Sequence, residues 1–305
     1  MPIPTAAGVP SHSGNLTPNL YSQKILYKFY TGTVLSSIAN TEYEEELFNY
    51  GDEITIRTTP DIEIHDYIDG QPLEFQRPQV EIVKLKIDQA KYWAFSTTSI
   101  GRKQSDLDYP TDWTDDAARN LDIAIDKDVL SAIVVDASPF NRGATAGKLS
   151  QSFDFGVTGT PIALGTGNAL DIIFDFGAVL DEQDVPAEGR WTVWPAWAIN
   201  KLRKSDLRDR DFNDGLSPTR SGRVGVINEF TVYRSNNIVP VLDGSTKVYN
   251  ILFGQMTALS FALQITEAAK TDDPDGFGDR FKGFSGYGFE VLKPDALGVF
   301  YASVG

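Results

Sequence analysis

His12 and His65 are the chain's only histidines, and it has no cysteine. A thiolate nucleophile, a disulfide and a Cys-based zinc site are therefore out of reach. The two imidazoles stand in no metal-ligand spacing such as HExxH, and both read as surface polar residues. Carboxylates are plentiful, 42 against 27 Lys and Arg. A glycosidase would need two of them ~5–9 Å apart across a cleft, and no pair stands out from the solvated background. Trp93, Trp113, Trp191, Trp194 and Trp197 could floor a sugar platform, but the last three cluster at a strand-to-helix junction where a core role fits better. Asp272-Asp273-Pro274-Asp275-Gly276 has the look of a calcium loop. Setting Gly276 at its sixth position puts Thr271 first and Lys282 twelfth, where an EF-hand needs Asp and Glu. Gly165-Thr166-Gly167 lacks a Walker lysine and reads as a link. These residues supply no catalytic, cofactor-binding or metal-ligating set.

The elements that would position such groups point instead to assembly. Between Gly51 and Ile87 the chain predicts one long β-hairpin. Its outgoing arm alternates as Glu53-Ile54-Thr55-Ile56-Arg57 and again as Ile62-Glu63-Ile64-His65; the return arm runs Val80 to Ile87. A period of two gives each arm an apolar and a charged face. An arm of about ten residues reaches ~33 Å. A two-stranded ribbon is marginal alone in water, so that apolar face needs a cover, from its own body or from another subunit.

Residues 1–19 hold Pro2, Pro4, Pro10 and Pro18, and the first charged side chain is Lys24. They predict an extended arm. Thr17-Pro18 opens a helix whose stripe is Tyr21, Ile25, Leu26, Phe29, Tyr30, Val34 and Ile38. Ala90 to Ser99 reads as a connector. A long helix spans about 111–136, with Asp112, Asp115 and Asp116 at its positive end and Ala117, Leu121, Ala124, Ile125, Val129, Ala132 and Ile133 inward. A Gly-, Thr- and Ser-rich stretch, 143–167, suggests a domain boundary. Beyond it come a helix over 168–183, strand 190–194, a helix opened by Pro195, and strands at 225–233, 247–253, 258–265 and 288–292.

The net charge of −15 excludes a surface built to grip phosphates. In the main basic stretch Arg203, Lys204, Arg208, Arg210, Arg220 and Arg223 alternate with Asp206, Asp209, Asp211 and Asp214, which suits intersubunit ion pairs or a solvated loop. No secretory signal and no apolar run of membrane length is visible, so a soluble, cytosolically made protein is expected.

The order of these parts resembles the major capsid proteins of tailed double-stranded DNA bacteriophages, with the Hong Kong 97-type fold. The resemblance is carried by Tyr21-Ser22-Gln23-Lys24, Ile38-Ala39-Asn40-Thr41, and Gly51-Asp52 with Ile54, Ile56, Arg57 and Pro60. Asp66-Tyr67, Gly70-Gln71, Ala90-Lys91-Tyr92, Pro195-Ala196-Trp197, Phe230-Thr231-Val232-Tyr233 and Ser235-Asn236 continue it. It implies an α+β subunit: an N-terminal arm (1–20), an extended loop (51–87), a peripheral domain (21–50 and 88–160) with a long spine helix, and an axial domain (161–285). Residues 286–305 return to one or the other.

The function so implied is self-assembly into hexamers and pentamers of an icosahedral shell around phage DNA. Candidate intersubunit contacts are Arg57, Asp66, Tyr67, Asp69, Arg77, Arg208, Arg210 and Asp211. The implied partners are other copies of the chain, a separate scaffolding protein, a portal, and DNA held without sequence-specific binding; no cofactor and no membrane are implied. The implied location is the virion, with assembly in the host bacterial cytoplasm. Some relatives cross-link a loop lysine to a neighbour's asparagine, but Gly51 to Val83 contains no lysine. A carboxylate-based glycoside hydrolase and an encapsulin-like nanocompartment enclosing cargo protein remain the alternatives.

Overall fold

The computed structural model describes residues 32–42, 53–57, 60, 62–66, 69–70, 72, 75–80, 82–98, 109–205, 223–274 and 276–305. The proposed arm, most of the first helical stripe, Tyr67, and the 206–222 stretch with Arg208, Arg210 and Asp211 lie outside the described residues.

The fold is α+β, organised by two sheets. The larger has β5 (Arg190–Trp194) near its centre, and every residue of that strand is buried. A strand buried at every position, Arg190 and Thr192 included, is covered on both faces. β5 pairs parallel with β7 (Phe230–Arg234) and antiparallel with β9 (Thr246–Gln255). β12 (Leu297–Val304) lies against β9, and β4 (Ile162–Leu164) against β12. β6 (Arg223–Ile227) lies beyond β7, and β8 (Val241–Asp243) pairs with one end of β9.

Helix α3 (Ala169–Asp181) buries the expected stripe, Ala169, Ile172, Ile173, Phe176, Val179 and Leu180. Phe176 stacks on Phe253 of β9 with ring centroids 4.1 Å apart. Trp191 and Trp194 sit in the same core. Helix α4 (Ala196–Lys204) starts directly after Pro195, as the fixed φ of proline favours.

One expected strand proved to be two. Residues 225–233 fold as β6, a turn at Asn228-Glu229, and β7. Both turn residues have positive φ (45° and 67°), the left-handed conformation that tight hairpins require. Neither is glycine, so the usual turn signal is missing.

The smaller sheet runs β10 (Leu259–Asp272), β11 (Gly278–Val291), β3 (Gln89–Thr98). The connector expected at 90–99 is thus a long strand over its described part, within Gln89–Thr98, and the strands expected at 258–265 and 288–292 are ends of one long hairpin. Glycines interrupt its alternation. At Gly283, opposite Trp93, a Cβ would lie only 2.3 Å from the indole, so glycine lets the ring lie flat across β11. Hydrogen bonding therefore joins 278–287 to 89–98, while 297–304 joins the larger sheet.

Helix α2 (Tyr109–Ala132) packs along β3 and reaches ~36 Å at ~1.5 Å per residue. Ile125, Val129 and Ile133 are buried as expected, but Ala132 is exposed and Leu130 takes its place inside. The C-terminal half of α2 also receives the segment leading into α1 (Leu35–Ile38), whose Val34 and Ile38 are buried.

Candidate assembly interface

The expected hairpin is paired only at its base. β1 (Glu53–Arg57) and β2 (Ile82–Lys86) form an antiparallel ladder from Glu53–Lys86 to Arg57–Ile82. Ile54 and Ile56 pack with Leu85 and Ile87 around Ala262 of β10. Gly288 of β11 lets the backbones meet, since a Cβ there would lie 2.0 Å from the Lys86 carbonyl oxygen. The chain's own body thus covers the apolar face of the base. On the charged face, Lys84 and Lys86 both pair with Glu53, and the Lys84 hydrogen bond holds its carboxyl below the usual range.

Beyond the ladder the two arms continue without strand pairing over 62–66 and 75–80. The Gln76 side chain links them. The Glu63 N–H donates to Gln76 Oε1, and Gln76 Nε2 donates to the Glu63 carbonyl, each at 3.1 Å. Gln76 Nε2 also lies 2.8 Å from His65 Nε2. Here no body covers the apolar side chains: Ile64 is 92% exposed, Phe75 88% and Ile62 63%. Asp66, Asp69 and Arg77 are exposed on this outer half, and Arg57 is exposed where the ladder ends. The structure therefore brings four of the eight contact candidates to one projecting loop, with Tyr67 of the same loop and the 208–211 group outside the described residues.

A second open feature lies between β3 and α2, a cleft of about 720 Å³. Trp93 stacks on Phe95 at 5.7 Å, Phe95 stacks on Phe281 of β11 at 5.1 Å, and Trp113 meets Phe95 edge-on at 5.7 Å. Lys91 forms an ion pair with Asp128 at one end. Tyr287 donates to the same carboxylate at 3.3 Å, and burial together with the Asp128 charge pushes the phenol up to about 12. Among the described residues Asp116 is the only carboxylate lining the cleft, with no second acid facing it.

Sequence reasoning missed Asp126. It is fully buried on α2 and accepts hydrogen bonds from Val34 N–H (3.0 Å), Leu35 N–H (3.1 Å) and Asn237 Nδ2 (2.6 Å). One carboxylate thereby ties the N-terminal segment, the spine of α2 and the loop after β7. Burial raises its pKa, and the three hydrogen bonds oppose that rise. The available signal was its place beside Ile125 and four residues before Leu130, inside the buried stripe.

The tryptophan cluster divides as core and cleft: Trp191 and Trp194 are buried, and Trp93 and Trp113 border the cleft. In the acidic turn Asp273 pairs with Arg280 at 2.6 Å. Among the described residues no group of three His, Asp or Glu side chains could hold a metal, and no helix is long and apolar enough to cross a membrane.

The sequence matches no family model and no curated protein. Solved structures do match. A chain of Mycobacterium phage Che8 is 25% identical, with a TM-score of 0.74 over 94% of this chain and 97% of that one. A chain from the capsid structure of cyanophage P-SCSP1u is 14% identical, with a TM-score of 0.68 over 99% of both chains. One from the capsid of a native GTA particle is 15% identical, with a TM-score of 0.65 over 97% of both. The α+β fold described above is the fold of these phage and particle capsids.

Proposed function

We infer that this chain is the major capsid protein of a tailed double-stranded DNA phage, a structural subunit that assembles with its own copies into a closed shell. Coverage carries the reading. The likeness to the cyanophage capsid chain spans 99% of both partners, so it is a likeness of whole subunits rather than of a shared module.

The Hong Kong 97-type anatomy gives the parts their roles. The smaller sheet with α2 is assigned to the peripheral domain, which then takes in 259–291, and the larger sheet with α3 and α4 to the axial domain. The loop is assigned to the neighbouring subunit: its base is buried on its own body, and its outer half exposes Ile62, Ile64 and Phe75. Obligate interfaces bury about 2,000–5,000 Å², and a projecting loop adds such area without enlarging the core. With no lysine between Gly51 and Val83, the loop holds by packing and charge pairing rather than by an isopeptide link. The charge of −15 lets packaged DNA lie against the shell without adhering. A scaffolding protein and a portal complete the set of partners, and the virion is the destination.

Nothing favours the glycoside hydrolase, because Trp191 and Trp194 are core residues and, among the described residues, the open cleft has a single lining carboxylate. The nanocompartment reading has no observation of its own.

Replacing 58–81 with an Asn-Gly turn between the paired residues Arg57 and Ile82 spares the buried base. The expected product is a folded subunit that forms no closed shells in negative-stain micrographs. Shells of normal size from that variant would overturn the role given to the loop.

A further inference from the structure

Among the described residues the chain crosses between its two sheets three times: after α2, between β9 and β10, and between β11 and β12. These crossings lie together. The Leu292 and Lys293 N–H groups both donate to the Ala258 carbonyl, at 2.8 and 3.3 Å. Ser138 N–H donates to the Pro294 carbonyl (3.2 Å), and Asn141 Nδ2 to the Asp295 carbonyl (2.6 Å). Links gathered at one place tie two bodies together but leave rotation about that place unopposed. That is the geometry of a hinge.

Opposition comes from a fourth link. Residues 32–40 lie across the junction of the sheets, with Val34, Leu35, Ile38 and Ala39 buried. One end is fastened beside the crossings. There Asn40 N–H donates to the Leu259 carbonyl (2.8 Å), and Phe261 N–H to the Asn40 carbonyl (3.1 Å). The other end is caught on α2, where the Val34 and Leu35 N–H groups donate to Asp126 Oδ1. Between the ends, the hydroxyl of Tyr233, on β7 of the larger sheet, donates to the Ser37 carbonyl at 3.5 Å. Asp126 stands six residues before the end of α2 at Ala132, ~9 Å along the helix and off the crossings. Its Oδ2 accepts from Asn237 Nδ2 at 2.6 Å, a direct bond between α2 and the loop after β7.

We propose that residues 32–40 are a releasable strap. Fastened, they lock the two sheets at one angle; freed at Asp126, they let the sheets turn about the place where the crossings meet. This goes beyond the shell reading and stands without it. Release follows from how the strap is held. It adds one isolated bridge, at Asn40, and the one-turn helix α1, whereas β10 and β11 share a ladder from Leu259 to Asp272. A segment held by a few discrete bonds opens locally, at lower cost than the sheets it joins. The Val34 and Leu35 bonds end on one oxygen, so they are lost together. Residues 1–31 enter the body through Gly32, so a pull on them reaches the Asp126 catch before it reaches Asn40.

Because the chain has no cysteine, two engineered thiols take spin labels at chosen sites. Tyr92→Cys on the smaller sheet and Leu242→Cys on the larger use exposed positions, 79% and 69%. Pulsed electron resonance reads the distance between them. Dilution into excess unlabelled chain restricts the reading to pairs within one copy. The fastened strap should give one narrow distribution. Asp126→Ala should roughly double its width or add a second distance, as a freed hinge does. Asp126→Asn keeps an acceptor for Val34 and Leu35 and should stay narrow. Leu85→Ala, in the separate cluster under the ribbon, weakens the fold without touching the strap and should stay narrow too. Equal broadening in Leu85→Ala would overturn the strap, as would a folded Asp126→Ala as narrow as its parent. If Asp126→Ala does not fold, hydrogen exchange of the unmodified chain decides. The Val34 and Leu35 amides should exchange together and faster than the ladder amides of β5 and β9. Their exchange only in step with those ladders would overturn the proposal.

Discussion

Asp126 shows what a single residue contributes to the body of the subunit. Replacing it with alanine removes three accepted hydrogen bonds and strands their buried donors. Each such donor costs about 1–3 kcal/mol, so a loss of about 3–5 kcal/mol is expected on chemical denaturation. Asparagine should be far milder. Its Oδ1 can still accept from Val34 and Leu35, and its amide can donate to Asn237 Oδ1, a buried atom with no partner now, once the Asn237 amide turns over. The pH response separates charge from shape. Because burial raises the folded-state pKa of Asp126 above the ordinary 3.8, the folded protein binds more protons than the unfolded chain between those two values. The Asp126 contribution to stability therefore falls as pH rises from about 4 through the raised pKa, and D126N should abolish that part of the slope. An unchanged slope in D126N would contradict the assignment. An aspartate inside a helix ordinarily marks the solvated face, which is why sequence alone passes over this one.

Elements were legible where one physical signal dominated. Every residue of β5 is buried, so its Trp-Thr-Val-Trp run needed no alternation to be read as a strand. The i, i+3, i+4 stripe of α3 marked every buried residue of the helix except Gly177. Reading failed where the signal was local and atypical. Asn228-Glu229 makes a tight turn without glycine, and Gly278, Gly283 and Gly288 break the pattern of β11 because neighbouring backbone or a tryptophan ring takes the space of their Cβ. β12 was not anticipated as a strand. The ribbon was half legible: alternation located both arms, but only contact with Ala262 and Gly288 decides where pairing stops. This split gives a paired expectation. Leu85→Ala should destabilise the isolated subunit by about 2–4 kcal/mol, as for a well-packed core leucine. Ile64→Ala should change its stability by no more than about 0.5 kcal/mol, as at an exposed position, while impairing assembly. Equal losses in thermal or denaturant unfolding would mean that the outer loop packs on its own body.

At the scale of the whole molecule, the chain is a subunit with surfaces left over. Two sheets bury their shared core, while an apolar loop tip and an aromatic cleft stay open on one chain. Separately each would be a liability, since large exposed apolar patches mark interaction sites or promote aggregation. A net charge of −15 opposes non-specific association of the free chain. The expectation of an assembly protein came from this imbalance between a long apolar loop and an absent catalytic set; the identity of the covering surface needed the fold. The most direct test is the size of the purified full-length chain by sedimentation with electron microscopy of the same sample. The account predicts ring-shaped capsomers or closed shells of uniform diameter. A monodisperse monomer at every concentration would contradict it.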